Sequence, residues 1–343
     1  VTGLREVEPG EWDDLLEGLG LDDGYLRRAA VEAASLLEPS RPVFLGLAGP
    51  DGHVVLSLLV REIPDGNGLL DAVAPYPYGG PLAAGASPPV AGFHEAYEEW
   101  CTANGIVTTF MRFHPRYGNQ VLAPPGAVLE RLADAATWRL EGDLFAGMHR
   151  SHRNKCRKAG GAGVEVTVDV APERLDGFLA LHAETMGRVG ASTFYYFGPE
   201  YWETLRSGLG ERLVRLDARL KNELVASEIC VAGGGWLHYH MGVTSDAGRS
   251  LGAANLLVYE TAVWARDRGF VELSLGSGLA GREDSLWAFK QRFSPHEGRE
   301  YWIGKLVHDE AAYVRLAGAA GADGFFPAYR APAVVGRYRL RAP

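Results

Sequence analysis

A chain of 343 residues with 47% apolar residues and a net charge of −9 has room for two domains of ordinary size and is a poor general binder of polyanions. Its three cysteines, Cys101, Cys156 and Cys230, are far apart and form no CxxC pair. Neither a zinc site nor a disulfide framework is suggested, and a reducing cytoplasm is the simplest setting. No apolar run reaches membrane-spanning length, and the first residues carry no signal-peptide core.

In chain order, Glu11 to Leu37 reads as one or two helices interrupted by Gly18, Gly20 and Gly24. Val43 to Leu47 and Val54 to Arg61 flank Pro50-Asp51-Gly52, a hairpin signal. Leu69 to Val73 reads as a further strand, and Pro75 to Pro81 (PYPYGGP) as irregular chain. Phe93, Tyr97, Trp100 and Cys101 fall on one helical face, Gly105 ends that helix, and Ile106 to Phe113 is a strand.

The second half repeats this order. A helix at Leu175 to Met186 precedes two strands, Leu213 to Leu220 and Leu224 to Val231, around Lys221-Asn222-Glu223. A strand follows at Trp236 to Val243. The run Arg249 to Ala254 (RSLGAA) reads as a loop entering a helix, Leu256 to Arg268, stopped by Gly269, with Phe270 to Leu275 as the next strand. The period is roughly 165–170 residues, the size of one typical domain. Each repeat is an α/β unit with a mixed sheet. Thr137 to Ala159 joins the halves, with Asp143 to Ala159 as a helix, and Pro327 to Pro343, where Arg337, Arg339 and Arg341 alternate with Tyr338 and Leu340, reads as a closing strand.

Several groups are candidates for chemistry. Lys290 follows Phe289 after the Gly-rich loop Gly276 to Gly281. A lysine against an apolar wall can stabilise an oxyanion; the competing reading is an exposed helix lysine. Arg249-x-x-Gly252-x-Ala254 fits the short pattern by which acyl-CoA N-acyltransferases bind pyrophosphate at a helix start, or a plain Gly-containing helix start. Arg150, Arg153, Lys155, Arg157 and Lys158 form a basic cluster without an acid, with Arg150, Arg153 and Arg157 on one helical face. That cluster either meets phosphates or is simply solvated. His238 and His240 share one face of a strand, with Tyr239 on the other; no third metal ligand is evident, and no metal is expected. Phe194 to Phe197 with Tyr201 and Trp202 wall a ligand pocket or a core.

Taken in order, Tyr76-Pro77-Tyr78-Gly79-Gly80-Pro81, Arg150 to Ala159, Thr185-Met186-x-Arg188 with the aromatics, Leu256-Leu257 through Phe270, and Trp287-x-Phe289-Lys290-x-x-Phe293 resemble the Fem-type aminoacyltransferases of the GNAT superfamily. The resemblance spans nearly the whole chain. It implies tandem GNAT-like domains: residues 1–141 with 317–343 as the first, its last strand returning, and 142–316 as the second, carrying the lysine. It further implies transfer of an amino acid from aminoacyl-tRNA to an amine of a peptidoglycan precursor or a natural-product intermediate.

In the family the Phe-Lys lysine, here Lys290, stabilises the oxyanion and the leaving 3′-oxygen. The phosphate contacts of the acceptor match Arg27 or Arg28 and Arg188, and a family tyrosine matches Tyr239. Tyr76, Tyr78, Tyr195 and Trp287 join these as candidate substrate contacts, and Arg150, Arg153, Lys155, Arg157, Arg249 and Gly252 as candidate tRNA or phosphate contacts. Two departures stand out. The aspartate the family often carries after Gly-Pro is replaced by Leu82-Ala83-Ala84, and there is no room for a coiled-coil arm. No cofactor or metal is required, and the expected location is cytoplasmic. An acyl-CoA N-acyltransferase using CoA through Arg249, Gly252 and Ala254, and a non-catalytic ligand-binding protein, are the alternatives.

Overall fold

The computed structural model describes residues 3–190, 193–294, 296–318 and 324–331. The closing strand expected over Arg337 to Arg341 lies outside the described residues. In chain order the elements begin with β1 (Arg5–Glu6), α1 (Pro9–Gly18), α2 (Arg28–Ser35), β2 (Arg41–Gly49), β3 (Asp51–Glu62), β4 (Leu70–Val73) and β5 (Leu82–Ser87). Next come α3 (Val90–Ala103), β6 (Ile106–Arg112), β7 (Val128–Arg131), β8 (Ala136–Arg139), α4 (Leu144–Gly147), α5 (Arg150–Gly161) and β9 (Val164–Val170). Then follow α6 (Asp176–Val189), α7 (Pro199–Leu209), β10 (Leu213–Leu220), β11 (Glu223–Gly233), β12 (Trp236–Thr244) and α8 (Asp246–Leu251). The last are α9 (Ala253–Asp267), β13 (Glu272–Gly276), α10 (Ser285–Gln291), β14 (Trp302–Val307) and α11 (Glu310–Ala317).

Packing divides the chain into two units. One comprises residues 1–21, 38–131 and 302–343; the other comprises 22–37 and 132–301. The first holds the sheet β1-β2-β3-β4-β6-β14-β7, with β5 added beside β3. All its pairings are antiparallel except β4–β6. The chain returns to this sheet through β14, which lies between β6 and β7. Phe93, Tyr97 and Cys101, four residues apart on α3, are fully buried against Leu45, Leu56 and Met111. A fully buried side chain of this size contributes about 1.5–3 kcal/mol.

The second unit holds the sheet β8-β13-β12-β11-β10-β9, in which β12–β13 is the parallel pair. Its core gathers Trp138, Leu216, Leu237, Leu257, Leu273 and Phe293. Helix α2 packs on α7 here. The two sheets thus repeat one order: an antiparallel hairpin, a strand, a helix, and a strand parallel to the one before the helix. The fold is α/β with two mixed sheets, and no coiled-coil arm interrupts either unit among the described residues.

The structure corrects three local readings. Residues Arg249 to Leu251 are not loop but the end of α8, because Ser245 caps that helix by accepting from Gly248 N at 3.1 Å. Asp143 to Ala159 is two helices: Met148 is extended and His149 caps α5 through its ring, accepting from Ser151 N at 3.2 Å. The strand placed from Phe270 begins at Glu272.

Candidate functional site

Helix α10 exists because Asp284 holds its start. One carboxylate oxygen accepts from Trp287 N and the other from Leu279 N, both at 2.9 Å, which ties the Gly-rich loop to the first turn. Burial is the largest single influence and opposes the Asp284 anion, but these N–H groups and the Lys290 charge together outweigh it and hold its carboxyl below the usual range. The Trp287 indole donates to the Asp134 carbonyl at 2.9 Å, so this side chain acts as a strut to the segment before β8.

Lys290, near the end of α10, is 9% exposed. Its Nζ donates to the Ser277 carbonyl at 2.8 Å and lies 5.8 Å from the centroid of the Tyr239 ring. Burial pulls its pKa down to about 8, against the opposing attraction of Asp284. An ammonium has three donors; the Ser277 contact uses one. The group is therefore charged near neutrality yet close to the point where it releases a proton.

Phe289 lines a pocket of about 540 Å³ together with Lys155, Thr244, Asp246, Arg249, Gly252 and Asn255. Its carbonyl accepts from His152 Nε2 at 2.9 Å. A carbonyl only accepts, so the His152 proton is on Nε2 and Nδ1 is a buried acceptor without a hydrogen-bond partner among the described residues. Burial pulls the His152 pKa to about 4, which keeps the ring neutral.

The pocket lining itself carries an unsatisfied group. Asn255 is 3% exposed and its Nδ2 has no hydrogen-bond partner among the described residues. It lies in the first turn of α9, where the N–H groups of Ala253 and Ala254 have no acceptor within the helix. Gly252, at φ +81°, makes the reversal between α8 and α9, and a Cβ there would stand 2.8 Å from Lys155 Cβ on α5. The pocket therefore offers an amide donor, helix-end N–H groups and the cations Lys155 and Arg249, the latter 3.5 Å from the Asp246 carboxylate, to an oxygen-rich anionic ligand.

Upstream N–H groups in this turn are already spent. Gly248 N donates to Ser245 Oγ, Arg249 N to Ser245 O at 2.9 Å, and Gly252 N to Gly248 O at 2.9 Å. The motif Thr185-Met186-x-Arg188 belongs to the same wall: Thr185 Oγ1 bonds Thr244, and the Arg188 guanidinium donates to the Thr244 carbonyl and meets Glu184 and Asp246 at 3.2 and 3.6 Å.

The remaining candidates are placed elsewhere or otherwise employed. Arg153 donates to the carbonyls of Ala146 and Met148 that end α4. Arg157 stacks over the Phe145 ring at 5.0 Å, and Arg150 is exposed at the start of α5. Arg28 pairs with Glu32 one turn on, at 2.9 Å, and the nearly buried Arg27 contacts Asp22 at 3.2 Å. Tyr195 is half-buried in the aromatic cluster, and its carbonyl accepts from His182 Nε2 at 3.1 Å. Tyr76 and Tyr78 belong to the first unit. Their loop is held by Asn119, whose amide donates to Gly79 O and Pro81 O at 2.9 and 3.0 Å. His240 lies between two tyrosine hydroxyls, and His238 Nε2 lies 2.9 Å from Asp23.

Sequence reasoning passed over Asp284, Ser277, His152, Asn255 and the buried Glu228. Only Asp284 has a readable signal, an acidic residue immediately before a short helix. Glu228 is 1% exposed. The Thr261 hydroxyl reaches both Glu228 Oε1 and the Leu257 carbonyl, the latter at 2.9 Å. One hydroxyl carries one proton, so an ionised Glu228 would leave two acceptors competing for it, whereas a protonated one donates to Thr261, which donates to Leu257. Burial pushes the Glu228 carboxyl up to about 7, in the same direction.

Within the second unit, residues 146–291 match the family model described as acetyltransferase (GNAT) domain. Among solved structures, FemX is similar with a TM-score of 0.66 at 14% identity over 92% of this chain and 100% of that one. The C-terminal domain of a putative lysylphosphatidylglycerol synthetase from Agrobacterium fabrum is similar at 0.56, with 13% identity over 90% and 93%. A tandem GNAT protein from the clavulanic acid biosynthesis pathway is similar at 0.51, with 13% identity over 89% and 98%. At these identities the likeness is one of fold. No curated protein matches the sequence. No helix among the described residues is long and apolar enough to cross a membrane.

Proposed function

We propose that this protein is an aminoacyltransferase that moves an amino acid from aminoacyl-tRNA to an amine of a peptidoglycan precursor or natural-product intermediate. The observation that carries the reading is Lys290: a buried lysine with a lowered pKa, held by Ser277 and the Tyr239 ring. The acceptor nitrogen attacks the ester carbonyl, the tetrahedral oxyanion takes a hydrogen bond from Lys290, and the carbon–oxygen bond to the ribose 3′-oxygen breaks. Lys290 also hydrogen-bonds that leaving oxygen, which ends with the proton the attacking amine sheds, so the ammonium stays charged through the step. The ester is already activated, and an α-amine of pKa near 8 is partly neutral at cytoplasmic pH. Positioning and oxyanion stabilisation are therefore the main demands.

Lys155, Arg249, Asn255 and the start of α9 take the role of phosphate-ester contacts for the tRNA end, with Gly252 permitting the turn. An acyl-CoA reading uses the same pocket, but the Gly248, Arg249 and Gly252 N–H groups that a pyrophosphate cradle calls on are bonded within the turn. That favours the tRNA-dependent reading. Similarity in fold to FemX and to a lysylphosphatidylglycerol synthetase domain agrees with it.

The test is transfer from a radiolabelled mixture of aminoacyl-tRNAs into a bacterial small-molecule extract, with an RNase-treated control and a parallel acetyl-CoA arm. An RNase-sensitive amide product supports the proposal and identifies the amino acid. Acetyl transfer from CoA without RNase sensitivity overturns it, and ligand binding without turnover in either arm points to a binding protein.

A further inference from the structure

His240 is the extra residue of a β-bulge. β12 and β11 pair in step from Trp236–Gly233 to Tyr239–Cys230, and the next pair is Met241–Ile229, so His240 has no partner across the ladder. The bulge brings Tyr239 and Gly242 to one face. A Cβ at Gly242 would stand 1.7 Å from the Tyr239 hydroxyl, so only glycine leaves that ring its place.

The bulge residue is held from both sides. His240 Nδ1 lies 2.9 Å from the Tyr25 hydroxyl and Nε2 lies 2.8 Å from the Tyr201 hydroxyl. The Tyr201 and His240 rings lie near-parallel, their planes 13° apart and their centroids 6.0 Å apart. Burial first, then His238, pulls the His240 pKa to about 3, so the ring is neutral. A neutral imidazole has one N–H and one lone pair, so one tyrosine accepts and the other donates. Tyr25 comes from the short turn Gly24–Leu26 and Tyr201 from α7, two distant stretches of chain that meet on one ring.

We propose that Tyr25, His240 and Tyr201 form a positioning clamp that fixes the β12 bulge and so seats the Tyr239 ring against Lys290. These three are positioning residues; the inference rests on the reading of Lys290 as the oxyanion-stabilising group. Its consequence is catalytic rather than affinity-related: loosening the clamp moves Tyr239 and with it the Lys290 ammonium, and displacements on the order of 1 Å cost up to about 100-fold in rate.

The test uses 3-fluorotyrosine-labelled full-length protein, with the Tyr239 resonance assigned by Tyr239→Phe. Tyr201→Phe and His240→Leu are expected to shift that resonance and to lower kcat about 10–100-fold with KM changed less than about twofold. His240→Gln, whose amide supplies one donor and one acceptor, is expected to recover much of both signals. If folded Tyr201→Phe and His240→Leu leave the Tyr239 resonance and kcat at wild-type values, the clamp is refuted. If wild-type protein transfers nothing from any aminoacyl-tRNA, the proposed reaction fails, while the fluorine resonance still decides the clamp.

Discussion

The Lys290 ammonium sits 2.8 Å from the Ser277 carbonyl and over the Tyr239 ring, buried enough that its pKa falls to about 8. The form that stabilises an oxyanion is the protonated one, so its contribution is present below about 8 and is lost as pH rises through that value. The acceptor amine works in the opposite direction, since its neutral fraction grows up to about 8. The profile of kcat against pH is therefore expected to be bell-shaped. Lys290→Arg, whose guanidinium stays charged, is expected to keep the rising limb and lose the alkaline fall. An alkaline fall unchanged in that variant would assign it to another group.

Glu228 gives a stability prediction of defined sign. Its carboxyl titrates at about 7 when folded and near 4.5 when unfolded, because burial disfavours the anion. Between these values the folded state holds a proton that the unfolded state has released, so stability falls as pH rises through this window and is level above it. The loss is on the order of 3 kcal/mol. Glu228→Gln keeps a donor for Thr261 and cannot ionise. Thermal melts are expected to coincide for the two proteins at about pH 5 and to favour the variant at about pH 9. A constant difference between the two across pH would contradict the protonated pairing.

The basic helix separates into residues with different duties. Lys155 lines the pocket, whereas the Arg153 guanidinium ends α4 by binding Ala146 and Met148 carbonyls. Lys155→Ala is expected to weaken aminoacyl-tRNA binding and reduce the slope of log K against log salt by about one. Asn255→Leu is expected to weaken binding without changing that slope. Arg153→Ala is expected to lower the melting temperature and leave the slope alone. Filter binding across a salt series distinguishes these outcomes.

In the first unit, Asp71 is fully buried and accepts from Arg61 Nε at 2.7 Å and from the Arg330 guanidinium at 3.1 Å. Asp71→Asn takes the carboxylate from between Arg61 and Arg330 and leaves Arg61 with Glu38 at 2.6 Å as its remaining acid, so the expected loss is on the order of 3 kcal/mol, the low end for breaking a buried pair. Urea unfolding followed by tryptophan fluorescence measures this, and a midpoint equal to wild type would contradict it.

The periodic parts of the fold were legible because they depend on neighbours in sequence. Phe93, Tyr97 and Cys101 recur every four residues and do face one core, and the turns at Pro50 and Lys221 join the hairpins expected there. What escaped depends on partners distant in sequence. Nothing in Tyr25 announces His240, 215 residues away, and nothing in Arg27 or Arg28 says that residues 22–37 pack with residues 132–301. Arg153 reads as a free cation because local charge patterning cannot reveal the two carbonyls it ends on. Asn255 is hidden for the same reason: an asparagine in a helix start is unremarkable until burial leaves its amide without an acceptor among the described residues.

Lys290→Met tests the central claim most directly, because methionine keeps most of the apolar stem and removes the ammonium, its charge and its hydrogen-bond donors. The measurement is the single-turnover rate of amino-acid transfer from bound aminoacyl-tRNA to saturating acceptor amine. A fall of about 10²–10³-fold with unchanged aminoacyl-tRNA affinity is predicted. Transfer by Lys290→Met at the wild-type rate would contradict the account.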